Sequence, residues 1–377
     1  MNFLRVRAVT RKEFLHVIRD PRSLGMAIAI PMLMLILFGY ALTLDVDHVP
    51  LVVWDQDGSP ASRNLVSQFA GSRYFSLRGA IGSYAAAERA IDTREALVAL
   101  VIPPDFGDRT GRGGLAPVQA IVDGSDANTA TLAMGYARMV ALTWSEVLTL
   151  DGVRRVGGRT LQAPLDMQVR VWFNEDRESR NYIVPGLIAV IMMVIAALLT
   201  SLTVAREWER GTMEQLIATP ITGAELVLGK LIPYFIIGMV DVLLAVLMGE
   251  YLFHVPLRGS VALLFAMAAV YLAGTLSLGM LISIVTRNQL VATQLAMILT
   301  FLPSFLLSGF MYSIGNMPTV LQAITHVVPA RYFVSLLKGI YLKGVGLEVL
   351  GGEALLLTVF GAVTVALARL RFKKKVA

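Results

Sequence analysis

The segment Ala205-Arg-Glu-Trp-Glu-Arg-Gly-Thr-Met-Glu-Gln-Leu-Ile-Ala-Thr-Pro220 is a densely charged interruption between two long apolar runs, residues 182–204 and 226–249. A charged side chain at bilayer depth is costly by several kcal/mol, so this segment must lie in water. Each apolar run is long enough to cross the roughly 30 Å hydrocarbon core of a bilayer. The pattern predicts two membrane-spanning helices joined by a short hydrophilic connection.

A separate short helix is predicted inside this connection. Gly211 breaks any helix that continues from the first apolar run, and a helix can start again at Thr212, which has capping-box spacing with Gln215. Pro220 closes the segment. Such a helix favours docking on a cytoplasmic protein; the alternative is a solvated loop without a partner. The candidate contact residues are Glu207, Glu209, Arg210, Thr212, Met213, Glu214, Leu216 and Ile217, of which Met213, Leu216 and Ile217 form one apolar face.

The composition indicates a membrane protein. Hydrophobic residues make up 56% of the chain and charged residues only 16%, and the apolar residues are clustered. The net charge of +6 comes from basic residues that crowd both termini, so it predicts membrane topology rather than a nucleic-acid partner. The chain has no cysteine, and its four histidines are scattered, which argues against disulfides and metal centres.

The N-terminal half is predicted to hold an anchor and an inserted domain. Residues 1–23 have the pattern of a basic amphipathic helix on the cytoplasmic membrane surface. Residues 24–44 form a first span, which lacks the cleavage site of a signal peptide. Residues 45–181 then change character and predict a mixed α/β domain between the first and second spans. Its predicted strands are 49–54, 96–102, 118–122 and 167–173, and its predicted helices are 62–69, 84–91 and 128–150.

The C-terminal half completes a mainly α membrane protein with six transmembrane helices. Residues 182–370 hold five spans, 182–204, 226–249, 261–285, 290–312 and 352–370. The intervening residues 313–351 are less apolar and include an amphipathic stretch at 330–342. A basic tail, 371–377, follows. Six spans place both basic termini on one side, predicted to be cytoplasmic, so residues 45–181 are predicted to be extracytoplasmic.

Polar residues within the predicted spans are candidates for a translocation path. Asp241 lies near the middle of the span 226–249, where an unpaired carboxylate is unfavourable. It is either a substrate or proton contact, or a protonated or hydrogen-bonded acid at a helix contact. Gln294 and Ser308 have the same two interpretations. They are weaker candidates for the path, because small polar residues often serve packing between helices.

No catalytic or nucleotide-binding motif is predicted. The run from Gly223 to Lys230 imitates a phosphate-binding loop, but five residues separate its glycines and Leu231 follows the lysine. Asp123 and Asp126 have the spacing of a turn rather than of an acid–base pair. Any ATP hydrolysis is therefore expected on another polypeptide.

With this topology, the chain resembles the permease subunits of ABC-2 type ABC exporters over nearly its whole length. The resemblance is carried by residues 206–225 with Gly229-Lys230, by residues 306–310 with Asn316-Met317-Pro318, and by Pro329-Ala330-Arg331-Tyr332-Phe333. The first of these is similar to the cytoplasmic loop whose coupling helix docks on the ATPase. The last is similar to the outer amphipathic segment before the final span. The inserted domain is similar to that of the drug-export-like branch.

The resemblance implies a half-transporter without a cofactor of its own. Two permease subunits, identical or paralogous, would assemble with two ATPase subunits that carry ATP and Mg²⁺. In a Gram-negative cell, a periplasmic adaptor and an outer-membrane channel could join the outer domain. The expected cargo is a hydrophobic or amphiphilic compound, a drug-like molecule or a lipid, moved out of the cytoplasm or the inner leaflet. The alternative function is a membrane-anchored receptor or scaffold that senses ligands with residues 45–181.

Overall fold

A computed structural model of the protein describes residues 2–42, 48–155, 173 and 178–372. These residues are mainly helical and include one small sheet. The chain divides into two compact units, a helical unit made of Met1–Thr43 with Val171–Ala377, and an α/β unit made of Leu44–Arg170.

The helical unit begins with α1 (Phe3–Arg19) and α2 (Pro21–Ala41). The helix predicted within residues 1–23 is confirmed as α1. One of its faces is buried inside the helical unit through Val6, Val9 and Glu13. Its opposite face exposes apolar side chains, among them Phe14 and Ile18. The location of α1 on a membrane surface stays a prediction.

The α/β unit contains a four-stranded mixed sheet in the order β2-β1-β3-β4. The central strand β1 is parallel to β2 and β3, and β4 is antiparallel to β3. In chain order its elements are β1 (Val49–Asp55), α3 (Pro60–Gly71), β2 (Phe75–Ala80), α4 (Tyr84–Asp92), β3 (Val98–Ile102), α5 (Phe106–Gly111), β4 (Gln119–Val122) and α6 (Ala127–Arg155).

Helices cover both faces of this sheet, which explains why β1 and β3 are continuous apolar runs. Leu51 and Leu100 face a core that includes Trp144 of α6, whereas Val52 and Ala99 face α4. The predicted strands 49–54, 96–102 and 118–122 and the three predicted helices are confirmed. Strand β2 was not predicted. The predicted strand 167–173 lies outside the described residues except for its last residue.

The remaining helices all belong to the helical unit. They are α7 (Ser179–Glu209), α8 (Thr212–Ala218), α9 (Gly223–Leu247, prolonged by a π-helical turn, Met248–Leu252), α10 (Val261–Thr286), α11 (Gln289–Leu307), α12 (Thr319–Thr325), α13 (Pro329–Lys338, prolonged by a π-helical turn, Gly339–Lys343) and α14 (Leu347–Arg371).

Five helices of the described chain are long and apolar enough to cross a membrane, namely α7, α9 with its π-helical turn, α10, α11 and α14. In α2 the apolar part, Ala27–Ala41, is shorter than these helices. Helices α12 and α13, which meet at an 84° bend, add a sixth candidate only if the two together form one broken span. The predicted fifth span, 290–312, is too long. Helix α11 ends at Leu307, and Gly309, with φ of +77°, turns the chain away.

Helix α7 is the centre of the helical unit and is buried along almost its whole length. Helix α10 approaches it closely at Gly279, where an added Cβ atom would lie 2.3 Å from the carbonyl oxygen of Ala197. The Thr200 hydroxyl donates a hydrogen bond to the carbonyl of Leu276, 2.8 Å away. Small residues at such contacts let two helices pack backbone to backbone.

The amphipathic stretch predicted at 330–342 is confirmed as a helix, α13, and its apolar face lies in this core. Phe333 stacks on Tyr271 of α10 with ring centroids 4.1 Å apart. The Tyr271 hydroxyl in turn donates to the carbonyl of Ala189 in α7, at 2.9 Å. At a polar position of α13, the Lys338 ammonium donates to the carbonyl of Gly309, at 2.9 Å.

Candidate functional site around helix α8

The break between α7 and α8 is made at Gly211. Helix α7 ends at Glu209, and Gly211 has a φ of +70°, a conformation that favours glycine. The predicted helix start at Thr212 is confirmed. The predicted capping box is wrong, because no described side chain caps α8 and the Thr212 hydroxyl instead donates to the carboxylate of Glu207.

The two faces of α8 differ in what they contact. Met213 is 1% exposed, and Leu216 packs against the core of the helical unit. Glu214, Gln215 and Ala218 are exposed. The side chain of Ile217 lies outside the described residues. The apolar residues Met213 and Leu216 therefore hold α8 to its own protein, and the surface left for a partner is mainly polar.

A capping box does form one loop later, at the start of α9. The Thr222 hydroxyl accepts from the backbone N–H of Glu225, and the Glu225 carboxylate accepts from the backbone N–H of Thr222 at 2.8 Å. The spacing Thr-x-x-Glu is a signal that the sequence offered and that was overlooked. Glu225 also accepts from the backbone N–H of Asn2 at 2.6 Å, so the start of α1 is tied to the start of α9.

A buried ion network links α1, α7 and α9. The Lys230 ammonium lies 2.6 Å from the Glu13 carboxylate and 3.1 Å from that of Glu207. Lys12 adds a more exposed ion pair to Glu207, at 3.2 Å. The side chains of Lys230 and Glu13 are 2% and 5% exposed. Sequence reasoning missed this network because its bonded partners Glu13 and Lys230 lie 217 residues apart.

A glycine allows α1 and α9 to come this close. A Cβ atom added at Gly229 would lie 2.7 Å from the Cβ atom of Val9. In addition, the Arg5 guanidinium donates to the carbonyl of Pro220 in the loop between α8 and α9. Contacts of α1 therefore reach both ends of the segment that contains α8.

Glu209 connects the end of α7 to the turn between α10 and α11. Its carboxylate accepts from the backbone N–H of Gln289, at 2.8 Å, and from the Gln289 side chain. Next to it, the Arg287 guanidinium lies 4.5 Å from the ring centre of Trp208. Arg210 is exposed. Of the predicted contact residues, Glu207 and Glu209 thus bind within the subunit, while Arg210 and Glu214 face outward.

The three path candidates are placed differently from one another. Asp241 on α9 is buried, and among the residues that the structure describes its Oδ1 atom has no hydrogen-bond partner. Gln294 on α11 is exposed. Ser308, just after α11, is buried and accepts from the backbone N–H of Phe310 at 3.3 Å. Their shared role in a path stays a prediction.

The predicted outer-segment residues stabilise the bend between α12 and α13. Pro329 is the first residue of α13. Arg331 donates to the hydroxyl of Thr325, and the Tyr332 hydroxyl donates to the carbonyl of His326 at 2.7 Å. Within the described ranges, no group of three or more histidine and acidic side chains could hold a metal ion.

These features define a class: a multi-pass membrane protein with a soluble-type α/β unit and a short hydrophilic helix between two long apolar ones. The chain belongs to the ABC-2 family transporter proteins, whose profile matches residues 21–370. Members of this family are transmembrane permease subunits, and a separate subunit is the ATPase. The chain is accordingly a permease subunit of an ABC transporter, and this membership implies association with an ATPase subunit and a second permease.

Three relatives in Escherichia coli strain K12 are similar over most of their length. The probable multidrug ABC transporter permease YbhS is 39% identical over 386 aligned positions, covering 100% of this chain and 98% of YbhS. The probable multidrug ABC transporter permease YbhR is 30% identical, covering 99% of this chain and 100% of YbhR. The inner membrane transport permease YhhJ is 27% identical, covering 92% and 93%.

The Oδ1 atom of Asp241, which has no hydrogen-bond partner in the part of the chain that the structure describes, gives a test of the two interpretations of this residue. We expect Asp241→Leu to insert, to keep ATP-driven transport and to unfold at an unchanged or higher temperature, because a buried polar atom without a partner is unfavourable by about 1–3 kcal/mol. Asp241→Asn, which keeps the shape, is the matched control. Loss of transport by both variants at unchanged thermal midpoints would instead make Asp241 a contact for cargo or a proton.

Proposed function

We propose that the chain is the membrane-spanning half of an ATP-driven exporter for hydrophobic or amphiphilic compounds, either drug-like molecules or lipids. The family supplies the permease role, and the multidrug names of YbhS and YbhR support the cargo class. Export starts from the cytoplasm or from the inner leaflet. The functional unit contains two permease subunits, identical or paralogous, and ATP with Mg²⁺ binds only to the ATPase subunits.

The proposed topology has six spans in an inner membrane, with α2 as the first span. Both termini are cytoplasmic because both are strongly basic. The α/β unit is then extracytoplasmic, where a periplasmic adaptor and an outer-membrane channel can join it. On this topology, α8 and the turn before α11 lie on the cytoplasmic side, where an ATPase subunit can reach them.

Helix α8 is the proposed ATPase contact, and the observation that carries this proposal is its division into two faces. Glu214, Gln215 and Ala218 are exposed to a partner, while Met213 is buried in the subunit. A displacement of α8 is therefore passed on by contacts within the subunit. Thr212 contacts Glu207, which is linked to α1 and α9 through the ion network, and Glu209 is hydrogen-bonded to the first residue of α11. The ATPase can change the permease only if α8 binds its two states with different free energies.

Positive charge introduced on the exposed face of α8 tests this contact. We expect Glu214→Lys with Ala218→Lys to lower ATP-driven transport and the amount of co-purifying ATPase by at least tenfold, with an unchanged thermal midpoint of the permease. Transport is measured as ATP-dependent uptake of a fluorescent hydrophobic dye by inside-out vesicles that contain the whole transporter.

Glu348→Lys, at an exposed acid in the first turn of α14, is the matched control and should behave as the wild type. Glu209→Lys is a less specific variant, because it also breaks the hydrogen bonds to Gln289. Undiminished transport and ATPase binding by the α8 double variant would refute the docking role of this helix.

A further inference from the structure

The helical unit contains a cavity of about 260 Å³ between α1, α2, α7 and α9. Its wall is largely apolar and includes Leu24 and Ile30 of α2 and Leu198 and Leu202 of α7. Pockets for drug-sized ligands usually measure roughly 300–1,000 Å³. This cavity is smaller, so it suits one flexible apolar chain better than a bulky ring system.

The cavity has an apolar end and a polar end. Its lining along α7 runs from Ile195 to Arg206, a distance of about 16 Å at a rise of 1.5 Å per residue. Two polar residues near the end of α1, His16 and Asp20, also line it. The polar groups therefore collect where α7 passes from its apolar run into the charged segment that precedes α8.

Arg206 is the arginine among the described residues that line this polar end. Its neighbours in sequence are already engaged, since Glu207 binds Lys230 and Lys12 and Glu209 binds Gln289. The Arg206 guanidinium is half-buried and forms no hydrogen bond or ion pair with any side chain in the described part of the helical unit. A guanidinium carries five N–H donors whose geometry matches a phosphate or a carboxylate.

His16 and Asp20, at the end of α1, are the neighbours that bear on the binding of an anion by Arg206. The His16 imidazole can donate a hydrogen bond from either ring nitrogen, depending on its tautomer. Asp20 lies at the same end and takes part in an interaction of its own within the protein. The end of the cavity thus offers a cation that has no ion-pair partner among the described residues, and a further hydrogen-bond donor, next to the apolar part of the cavity.

We propose that this cavity binds an amphiphile with a single inserted apolar chain and an anionic head, whose phosphate or carboxylate is held by Arg206. The apolar chain lies between α2 and α7, towards Ile195. The inference rests on the proposed function for one point, namely that the cavity lies in a bilayer from which an amphiphile can enter. Two sources share this chemistry, a membrane phospholipid that inserts one of its chains and a single-chain cargo of the exporter.

Binding can be measured on the full-length chain without ATP or an ATPase. The probe is radiolabelled dodecyl phosphate, added to the protein in phosphatidylcholine nanodiscs, with empty nanodiscs as the background. We expect saturable binding that falls at least tenfold in Arg206→Gln, which removes the cation, and in Leu202→Trp, which fills the apolar part of the cavity. Arg210→Gln removes an exposed arginine of the same segment that does not line the cavity, and it should bind as the wild type.

Two further measurements identify the head group and the source. Unlabelled dodecyltrimethylammonium, which has the same chain and the opposite charge, should compete at least tenfold more weakly than unlabelled dodecyl phosphate. Displacement of the probe when phosphatidylglycerol is included in the nanodiscs would assign the site to membrane lipid. Persistence of the probe under that condition would assign the site to a single-chain cargo. Either result supports the proposed site.

Three results would overturn it: no saturable binding by the wild type, wild-type binding by both cavity variants, or equal competition by the cationic amphiphile. The thermal midpoints of the variants show that each is folded. Because the assay contains no ATPase, its outcome is independent of the transport test of α8. If α8 proved not to bind the ATPase, the proposed binding site in the cavity would be unaffected. If the cavity proved to bind no amphiphile, the permease role would be unaffected.

Discussion

Replacing Lys230 with methionine is expected to lower the free energy of unfolding by about 3–5 kcal/mol, because it leaves buried carboxylates without their counter-ion. The Glu13 carboxylate is destabilised most, since Lys230 is its ion-pair partner at 2.6 Å and the Glu13 side chain is 5% exposed. Glu207 loses less, because Lys12 and Thr212 still contact its carboxylate. The measurement is equilibrium unfolding in mixed micelles of dodecyl maltoside and dodecyl sulfate.

Two matched variants separate the buried charge from a general effect of mutation. Lys230→Met combined with Glu13→Gln removes the uncompensated charge and should recover most of the lost stability. Lys12→Met removes an ion pair whose lysine is 55% exposed, so it should change stability by no more than about 1 kcal/mol. The buried network would have no special role if Lys230→Met proved as mild as Lys12→Met.

Adding one methyl group at Gly279 is expected to destabilise the protein by at least about 3 kcal/mol, the upper end of the usual effect of overpacking. The new Cβ atom would lie 2.3 Å from both the carbonyl oxygen of Ala197 and the hydroxyl oxygen of Thr200. A rotamer change cannot relieve this clash, because the carbonyl oxygen of Ala197 belongs to the backbone. Separating α7 from α10 would also weaken the hydrogen bond between Thr200 and Leu276.

Gly351→Ala is the control for Gly279→Ala. Gly351 lies within α14, where no atom of the described residues lies within 4 Å of an added Cβ atom. Alanine should therefore stabilise this position by about 0.8–1 kcal/mol through its higher helix propensity. Both variants are compared with the wild type in the same unfolding measurement. Equal effects of the two substitutions would contradict the close contact between α7 and α10.

Local patterns were sufficient to predict many elements. The start of α8 at Thr212 was predicted from the helix break at Gly211, which has a positive φ, and from a capping box between Thr212 and Gln215 that does not form. Strands β1 and β3 were predicted from short apolar runs followed by turn residues. The edge strand β2 was missed because only its first residue, Phe75, is buried, so its pattern contrasts little with a loop.

Features that depend on distant residues could not be predicted in this way. The pairing of Glu13 with Lys230 exists only once α1 lies on α9, and no local pattern encodes that contact. The same limit applies to Met213. Its place on an apolar face was predicted, but whether that face meets a partner or its own core depends on the neighbouring helices. The start of α8 was therefore located correctly along the chain, while its inward and outward faces required the structure.

The separation of Glu13 and Lys230 has a consequence for biosynthesis. At a translation rate of about 5–20 residues per second, Glu13 of α1 is synthesised roughly 10–40 s before Lys230, because 217 residues separate them. During that time α9 is not yet present to cover Val9 and Glu13, and the basic amphipathic pattern of α1 favours its association with the membrane surface. The N-terminal helix is thus among the first parts of the chain to be synthesised and can be packed only after the third predicted span has been inserted.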